Sequence, residues 1–144
     1  MTPAVQALRR AGVAFEILEY AHDPAAPAYG EEAARALGLP SHSVFKTLLA
    51  DIDGQRPVIA LVPVSASLDL KTLARAAGAK RATMAEPDVA ERATGYVVGG
   101  ISPLGQKQRL ATFIDPVPGG SSACMSARGA AAWNSRSPPP TCNA

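Results

Sequence analysis

Two apolar runs, Val44 to Ile52 and Pro57 to Val64, flank the dipeptide Asp53-Gly54. An Asp-Gly pair between such runs specifies a tight antiparallel hairpin, because both residues tolerate the left-handed backbone that a primed turn demands. Few other arrangements can bury both runs, so a sheet built around this hairpin is the first expectation. One residue resists it. With side chains alternating, Val44, Lys46 and Leu48 share one face while Phe45, Thr47 and Leu49 share the other. Both faces are mostly apolar, so no register delivers Lys46 cleanly to water. Either it snorkels out at a strand end or it is held in a pocket for a purpose.

Around the hairpin, helix and strand signals interleave. Thr2-Pro3 is a cap followed by a first-turn proline, and Gly12 ends that helix. Val13 to Tyr20 reads as a strand, with a loop from His22 through Pro27. Glu31 to Leu37 reads as a short alanine-rich helix closed by Gly38 and Pro40. Asp69 caps a helix to Ala77, ended by Gly78, and another follows Glu86-Pro87 to Thr94, ended by Gly95. Tyr96 to Val98 and Leu110 to Ile114 read as the last strands, on either side of a glycine-rich loop. The expected class is therefore α+β, with a mixed and mostly antiparallel sheet rather than a doubly wound parallel one.

The 144 residues suffice for one domain and a single core. No apolar run approaches the ~18 residues of a membrane span, and Met1 to Arg10 lacks the apolar core of a signal peptide. A cytoplasmic protein is expected. Only His22, His42, Cys124 and Cys142 could serve as soft metal ligands, too scattered for a zinc site. Residues 1–118 carry 12 basic and 12 acidic side chains, so charge alone names no partner. Local basic groups at Lys71, Arg75, Lys80 and Arg81, and at Arg92, Lys107 and Arg109, read first as solvated surface, with phosphate contact as the functional alternative. His22-Asp23-Pro24 reads as a side-chain-capped turn rather than a catalytic dyad.

The second chemical feature is G-Y-V-V-G-G-I-S-P-L-G-Q-K-Q-R, residues 95–109. Paired glycines permit close backbone approach to a ligand and leave N–H donors exposed. Neither a G-x-G-x-x-G fingerprint nor G-K-[ST] is present, so standard nucleotide binding has no support.

Taken together, M-T-P-A-V, Y-A-H-D-P, V-F-K-T-L-L, L-D-L-K, T-G-Y-V-V-G-G-I-S-P-L-G-Q-K and R-L-A-T-F-I-D resemble, in order and spacing, the YbaK/EbsC-type Cys-tRNA(Pro) deacylases. These are relatives of the editing domain inserted in bacterial prolyl-tRNA synthetase. The resemblance covers residues 1–116 and implies the YbaK-like fold, a mixed curved sheet or barrel with flanking helices. It implies a trans-editing enzyme that clears cysteine from mischarged Cys-tRNA(Pro). Such an enzyme is needed because a proline-sized pocket rejects a competitor of similar volume by only ~10–200-fold. By the same resemblance Lys46 is the catalytic residue, and Tyr20, Tyr29 and Thr47 line the aminoacyl pocket. Gly99, Gly100 and Ile101 supply backbone groups around the scissile ester and terminal adenosine. Tyr29 departs from the family, where phenylalanine is common. No cofactor or metal is implied; the partners implied are tRNA(Pro) and prolyl-tRNA synthetase.

Residues 1–118 hold no obvious nucleophile–base pair. The family's solution is that the substrate's own thiol attacks its ester, so the protein need only position the substrate, worth ~7–11 kcal/mol, and stabilise oxyanion charge. Two alternatives stand beside this: a non-catalytic tRNA- or synthetase-binding remnant, and editing of another small amino acid such as alanine.

From Gly119 onward the chain contains no Leu, Ile, Val, Phe, Tyr, Asp, Glu or Lys. Such a segment cannot offset its ordering entropy, so residues 119–144 are expected to be disordered beside an editing domain at 1–118. The family's ending, a strand and a short helix with a pocket-lining aspartate, is missing in frame. Reading Cys124 to Asn143 one nucleotide earlier permits Val, Ser and Ala from Met125 to Arg128. It forces Glu across Trp133 and Asn134 and permits Asp and Leu across Pro140 to Cys142. A one-base change between about Pro118 and Cys124 would account for the tail, leaving an unpaired sheet edge.

Overall fold

The computed structural model describes residues 2–25 and 29–114, and the backbone of 130–132. Its centre is the hairpin. Strand β2 (Phe45–Ile52) pairs antiparallel with β3 (Arg56–Pro63), from Phe45 opposite Pro63 to Ile52 opposite Arg56. Asp53 and Gly54 both adopt left-handed φ, +54° and +67°, and the Gln55 N–H donates to the Ile52 carbonyl at 3.0 Å. Asp53 also ties the turn down, its carboxylate accepting from the Arg81 N–H at 2.9 Å.

Strand β4 (Ala82–Met84) pairs antiparallel with the far end of β2, opposite Ala50 to Ile52, and β5 (Thr112–Ile114) lies parallel to β3. The resulting order β4-β2-β3-β5 makes the sheet mixed and mostly antiparallel. A separate two-stranded ribbon joins β1 (Glu16–Leu18) to β6 (Ala130–Ala132), antiparallel.

Four α-helices are present among the described residues: α1 (Pro3–Ala11), α2 (Tyr29–Ala36), α3 (Leu70–Ala76) and α4 (Pro87–Thr94). Their ends follow the sequence signals. The Thr2 hydroxyl accepts from the Val5 N–H at 3.3 Å, and the Asp69 carboxylate accepts from the N–H groups of Lys71 and Thr72. Gly12 and Gly95 close α1 and α4 in the left-handed conformation that spares a side chain the steric cost.

The sheet carries apolar side chains on both faces. Ala50, Ile52, Val58, Ala60 and Val62 pack against Leu73 and Ala74 of α3. Phe45, Leu49, Ile59 and Leu61 pack against Ala90 and Ala93 of α4 and against Ile101. Val44 and Val64, just outside the hairpin strands, meet Ala33 and Ala34 of α2.

Several segments depart from sequence expectation. The strand expected over Val13 to Tyr20 shrinks to three residues, because β6 offers only three partners. Tyr96 to Val98 is not a strand: Val97 and Val98 are exposed, and the chain folds into a turn instead. Leu110 and Ala111 stop short of β5, while β4, unmarked in the sequence, forms by pairing with β2. Of the tail expected to be disordered, Ala130–Ala132 extends as β6; its other residues, with Cys124, Trp133 and Cys142, lie outside the described residues.

Candidate functional site

Because β4 reaches only Ala50, the first half of β2 is paired with β3 on one edge and has no strand on the other among the described residues. A cavity of about 290 Å³ occupies that open edge. It straddles the sheet. On one side stand Gly30 and Ala33 of α2 with Val44; on the other stand Ala85, Pro87, Ala90, Val98, Gly99 and Ile101. The contiguous stretch Phe45 to Leu49 forms the floor between them, and Met84 lies at the end of β4.

Alternation along β2 assigns the two chemical side chains to different walls. Lys46 shares its face with Val44, on the α2 side; Thr47 shares its face with Phe45 and Leu49, on the α4 side. Lys46 is half-buried, and among the described residues no carboxylate lies within salt-bridge reach of its ammonium. Among the described residues, the Thr47 hydroxyl is buried without a hydrogen-bond partner, as is one oxygen of Asp51 on the same strand face. Lys46 is, among the described residues, the only ionisable side chain in the lining and Thr47 the only hydroxyl.

The glycine-rich loop is held from three directions. Gly100 N–H donates to the Val97 carbonyl at 2.9 Å, and Gly99 has φ +91°. That closes a four-residue turn whose third position requires glycine, as in type II geometry. Glu91, one turn before the end of α4, accepts the Val98 N–H at 3.2 Å. Tyr96 donates its hydroxyl to the Leu104 carbonyl at 2.7 Å. Burial pushes the Tyr96 phenol above its usual range, against the lowering effect of Ser102 and the Ala4 backbone. Beyond the loop, Gly105 lies against the start of α1, where an added Cβ would sit 2.5 Å from the Pro3 carbonyl carbon.

Segment 19–25 is fastened to α2. His22 Nδ1 lies 2.8 Å from a Glu32 carboxylate oxygen, and the Asp23 N–H donates to the other oxygen. These contacts, the Asp23 amide first, hold the Glu32 carboxyl below its usual range. The His22-Asp23 turn thus has a structural partner, with Asp23 itself accepting from the Ala25 N–H at 2.9 Å.

Of the residues singled out from sequence, Lys46, Thr47, Gly99 and Ile101 lie together on the cavity wall. Gly100 is adjacent, its N–H consumed by the turn. Tyr20 packs against the α2 cluster beside the cavity rather than in its lining. Tyr29 opens α2, and its side chain lies outside the described residues. Sequence reasoning missed Gly30, Ala33, Ala90, Val98 and Met84. The small residues Gly30 and Ala33, three apart on one helix face, are the signal that was available: an added Cβ at Gly30 would come within 2.7 Å of a Val64 methyl.

Comparison with known proteins places these features in a family. The family model described as the aminoacyl-tRNA editing domain matches residues 23–117, which span β2, the cavity and the glycine-rich loop. EbsC of Enterococcus faecalis, whose assigned description is a Cys-tRNA(Pro)/Cys-tRNA(Cys) deacylase, is 39% identical over 84 residues, covering 58% of this chain and 51% of EbsC. The match thus spans about half of EbsC. Proline–tRNA ligase of Geobacter metallireducens is 39% identical over 80 residues, 56% of this chain and 14% of the ligase. Among solved structures, one described as a trans-editing enzyme for prolyl tRNA synthetase superposes with a TM-score of 0.72 at 25% identity, covering 92% of this chain and 85% of the other. Hypothetical protein APE2540 superposes with a TM-score of 0.77 at 19% identity, covering 94% and 90%, and shares the fold. The chain belongs to the aminoacyl-tRNA editing domain family.

Proposed function

We propose that this protein is an aminoacyl-tRNA deacylase that clears cysteine from Cys-tRNA(Pro). The observation that carries the reading is a small apolar cavity in which, among the described residues, Lys46 is the only charged lining side chain and no serine, cysteine or histidine nucleophile is present. Such a cavity admits an amino acid with a small uncharged side chain. It supplies a cation for a phosphate or developing negative charge, and it leaves the attacking group to the substrate.

The step balances as an intramolecular transfer. The cysteine sulfur forms a bond to its own ester carbonyl, the carbonyl–ribose oxygen bond breaks, and the thiol proton ends on the ribose hydroxyl. The tRNA is released with a free 3′ end, and the amino acid leaves as a strained thiolactone that water opens. In this scheme Lys46 stabilises the oxyanion or a neighbouring phosphate and is not a base. The protein acts in the cytoplasm on tRNA(Pro), alongside prolyl-tRNA synthetase. The relatives' descriptions support the cysteine and proline components.

Incubation of the purified chain with Cys-tRNA(Pro), Ala-tRNA(Pro) and S-methylcysteinyl-tRNA(Pro), with Lys46→Ala in parallel, tests this. Release of cysteine alone, abolished by S-methylation and by the Lys46 change, is expected. Equal release of alanine would replace thiol attack with water attack on small amino acids. Binding of tRNA without release of either would make the protein a binding module.

A further inference from the structure

The open edge of β2 has a consequence for how the substrate is held. The Ala85 N–H donates to the Leu49 carbonyl at 3.0 Å, and the Asp53 N–H donates to the Arg81 carbonyl at 2.9 Å. Odd-numbered residues of β2 therefore turn their main-chain groups toward β4. Val44, whose carbonyl accepts from Val64 N–H at 2.7 Å, belongs to the alternate set facing β3. By this alternation the Thr47 N–H and C=O point the same way as those of Leu49. At Thr47, however, β4 has ended and the cavity begins. A donor and an acceptor of the ladder thus face the cavity with no strand to satisfy them among the described residues.

We propose that the aminoacyl group of the substrate docks there as a one-residue continuation of the sheet, its α-ammonium donating to the Thr47 carbonyl and its ester carbonyl accepting from the Thr47 N–H. An aminoacyl ester carries a donor, a Cα and a carbonyl in the spacing of one strand residue, so it matches the pair that a strand residue would satisfy. The inference rests on the deacylase reading and adds a main-chain recognition element to it. Two geometrical results follow from antiparallel pairing. The substrate carbonyl lies nearer the Lys46 side of Thr47, so the ester oxygen and ribose leave past Lys46. The side chain of an L-residue lies on the Thr47 face, toward Ala90 and Ile101. A D-residue would direct its side chain toward the α2 wall.

The test uses the full chain, labelled with ¹⁵N, and three amide-linked adenosine analogues that cannot be cleaved. They are the 3′-deoxy-3′-amino derivatives bearing L-cysteine, D-cysteine or 3-mercaptopropionate, the last lacking only the ammonium. The L-cysteinyl analogue is expected to shift the Thr47 amide resonance strongly and slow its hydrogen exchange. The mercaptopropionyl analogue is expected to bind roughly tenfold or more weakly, the worth of a charge-assisted hydrogen bond, and the D-cysteinyl analogue more weakly than the L form. An unmoved Thr47 amide, with Gly99 and Ile101 shifted, overturns the strand-like docking and leaves the deacylase reading intact. Equal affinity for the mercaptopropionyl analogue does the same. No shift at any cavity amide, together with no release of cysteine or alanine from tRNA, overturns both.

Discussion

Lys46 and Thr47 are neighbours in sequence and opposites in environment. Among the described residues, Lys46 stands on the α2 wall without a carboxylate partner and the Thr47 hydroxyl is buried on the α4 wall without a hydrogen bond. An orphaned buried hydroxyl costs ~1–3 kcal/mol unless a ligand satisfies it. Thr47→Val should therefore leave the melting temperature unchanged or raise it, while raising KM for the aminoacyl-tRNA severalfold. A falling melting temperature with unchanged KM would show the hydroxyl to be purely structural. Lys46→Ala should lower kcat/KM by roughly 10²-fold, the scale of losing one charge-stabilising group, with far-UV circular dichroism unchanged. The Glu32 carboxyl gives a pH signature. Its folded-state pKa lies below the ordinary value of 4.5, so its stabilising contribution is present above that pH and is lost as pH falls through the lowered value. Urea unfolding measured between pH 6 and pH 3 should lose stability more steeply for the natural chain than for Glu32→Gln; parallel curves would remove the 19–25 clasp from the account.

At the scale of elements, the turn at 97–100 and helix α2 do most to shape the cavity. Gly99 at φ +91° occupies a conformation that costs a side-chain-bearing residue ~1–3 kcal/mol. Since the turn lies at the cavity and outside the main sheet pairing, Gly99→Ala should cut deacylation by at least about tenfold through displacement of the loop, with only a small loss of thermal stability. Asp69→Ala is the converse. It removes the α3 cap on the other side of the sheet, which should cost about 1 kcal/mol in stability and leave specific activity per folded molecule unchanged. The hairpin was legible because three signals agree there, namely two apolar runs and a turn dipeptide with obligatory geometry. Tyr96 to Val98 misled because an apolar triplet reads as a strand, whereas the following glycines and the Glu91 contact to Val98 make it a turn. Strand β4 was illegible for a different reason: Ala-Thr-Met has no strand pattern of its own and is extended only because β2 offers a partner. At the site, Lys46 announced itself by conflict with its surroundings. Gly30 and Ala33 offered only small size at three-residue spacing, which marks a close approach without naming what approaches, and Ala90 offered no signal until the packing is known.

Over the whole molecule, the unequal distribution of packing predicts what the tail contributes. The sheet β4-β2-β3-β5 carries buried side chains on both faces, with Ile52, Val58 and Ile59 at 1% exposure or less. By contrast β1 meets β6 over three residue pairs, and the partner residues are all alanine, a weak strand former. A short two-stranded ribbon is marginal by itself in water, so its main-chain bonds add little to global stability. The editing-family match also ends at residue 117, two residues before the composition changes. We propose on these grounds that residues 119–144 are an out-of-frame ending attached to the core sheet. Two measurements bear on this at the scale of the chain. Codons across Cys124 to Asn143 should permit the alternative reading throughout, and one stop codon in that frame would refute it. Removal of residues 119–144 should leave the unfolding midpoint within the ~2–8 °C that 1 kcal/mol shifts a domain of this size class. A loss well beyond that range would mean that β6 and its neighbours supply packing the core needs, and the tail would then be an integral part of the fold.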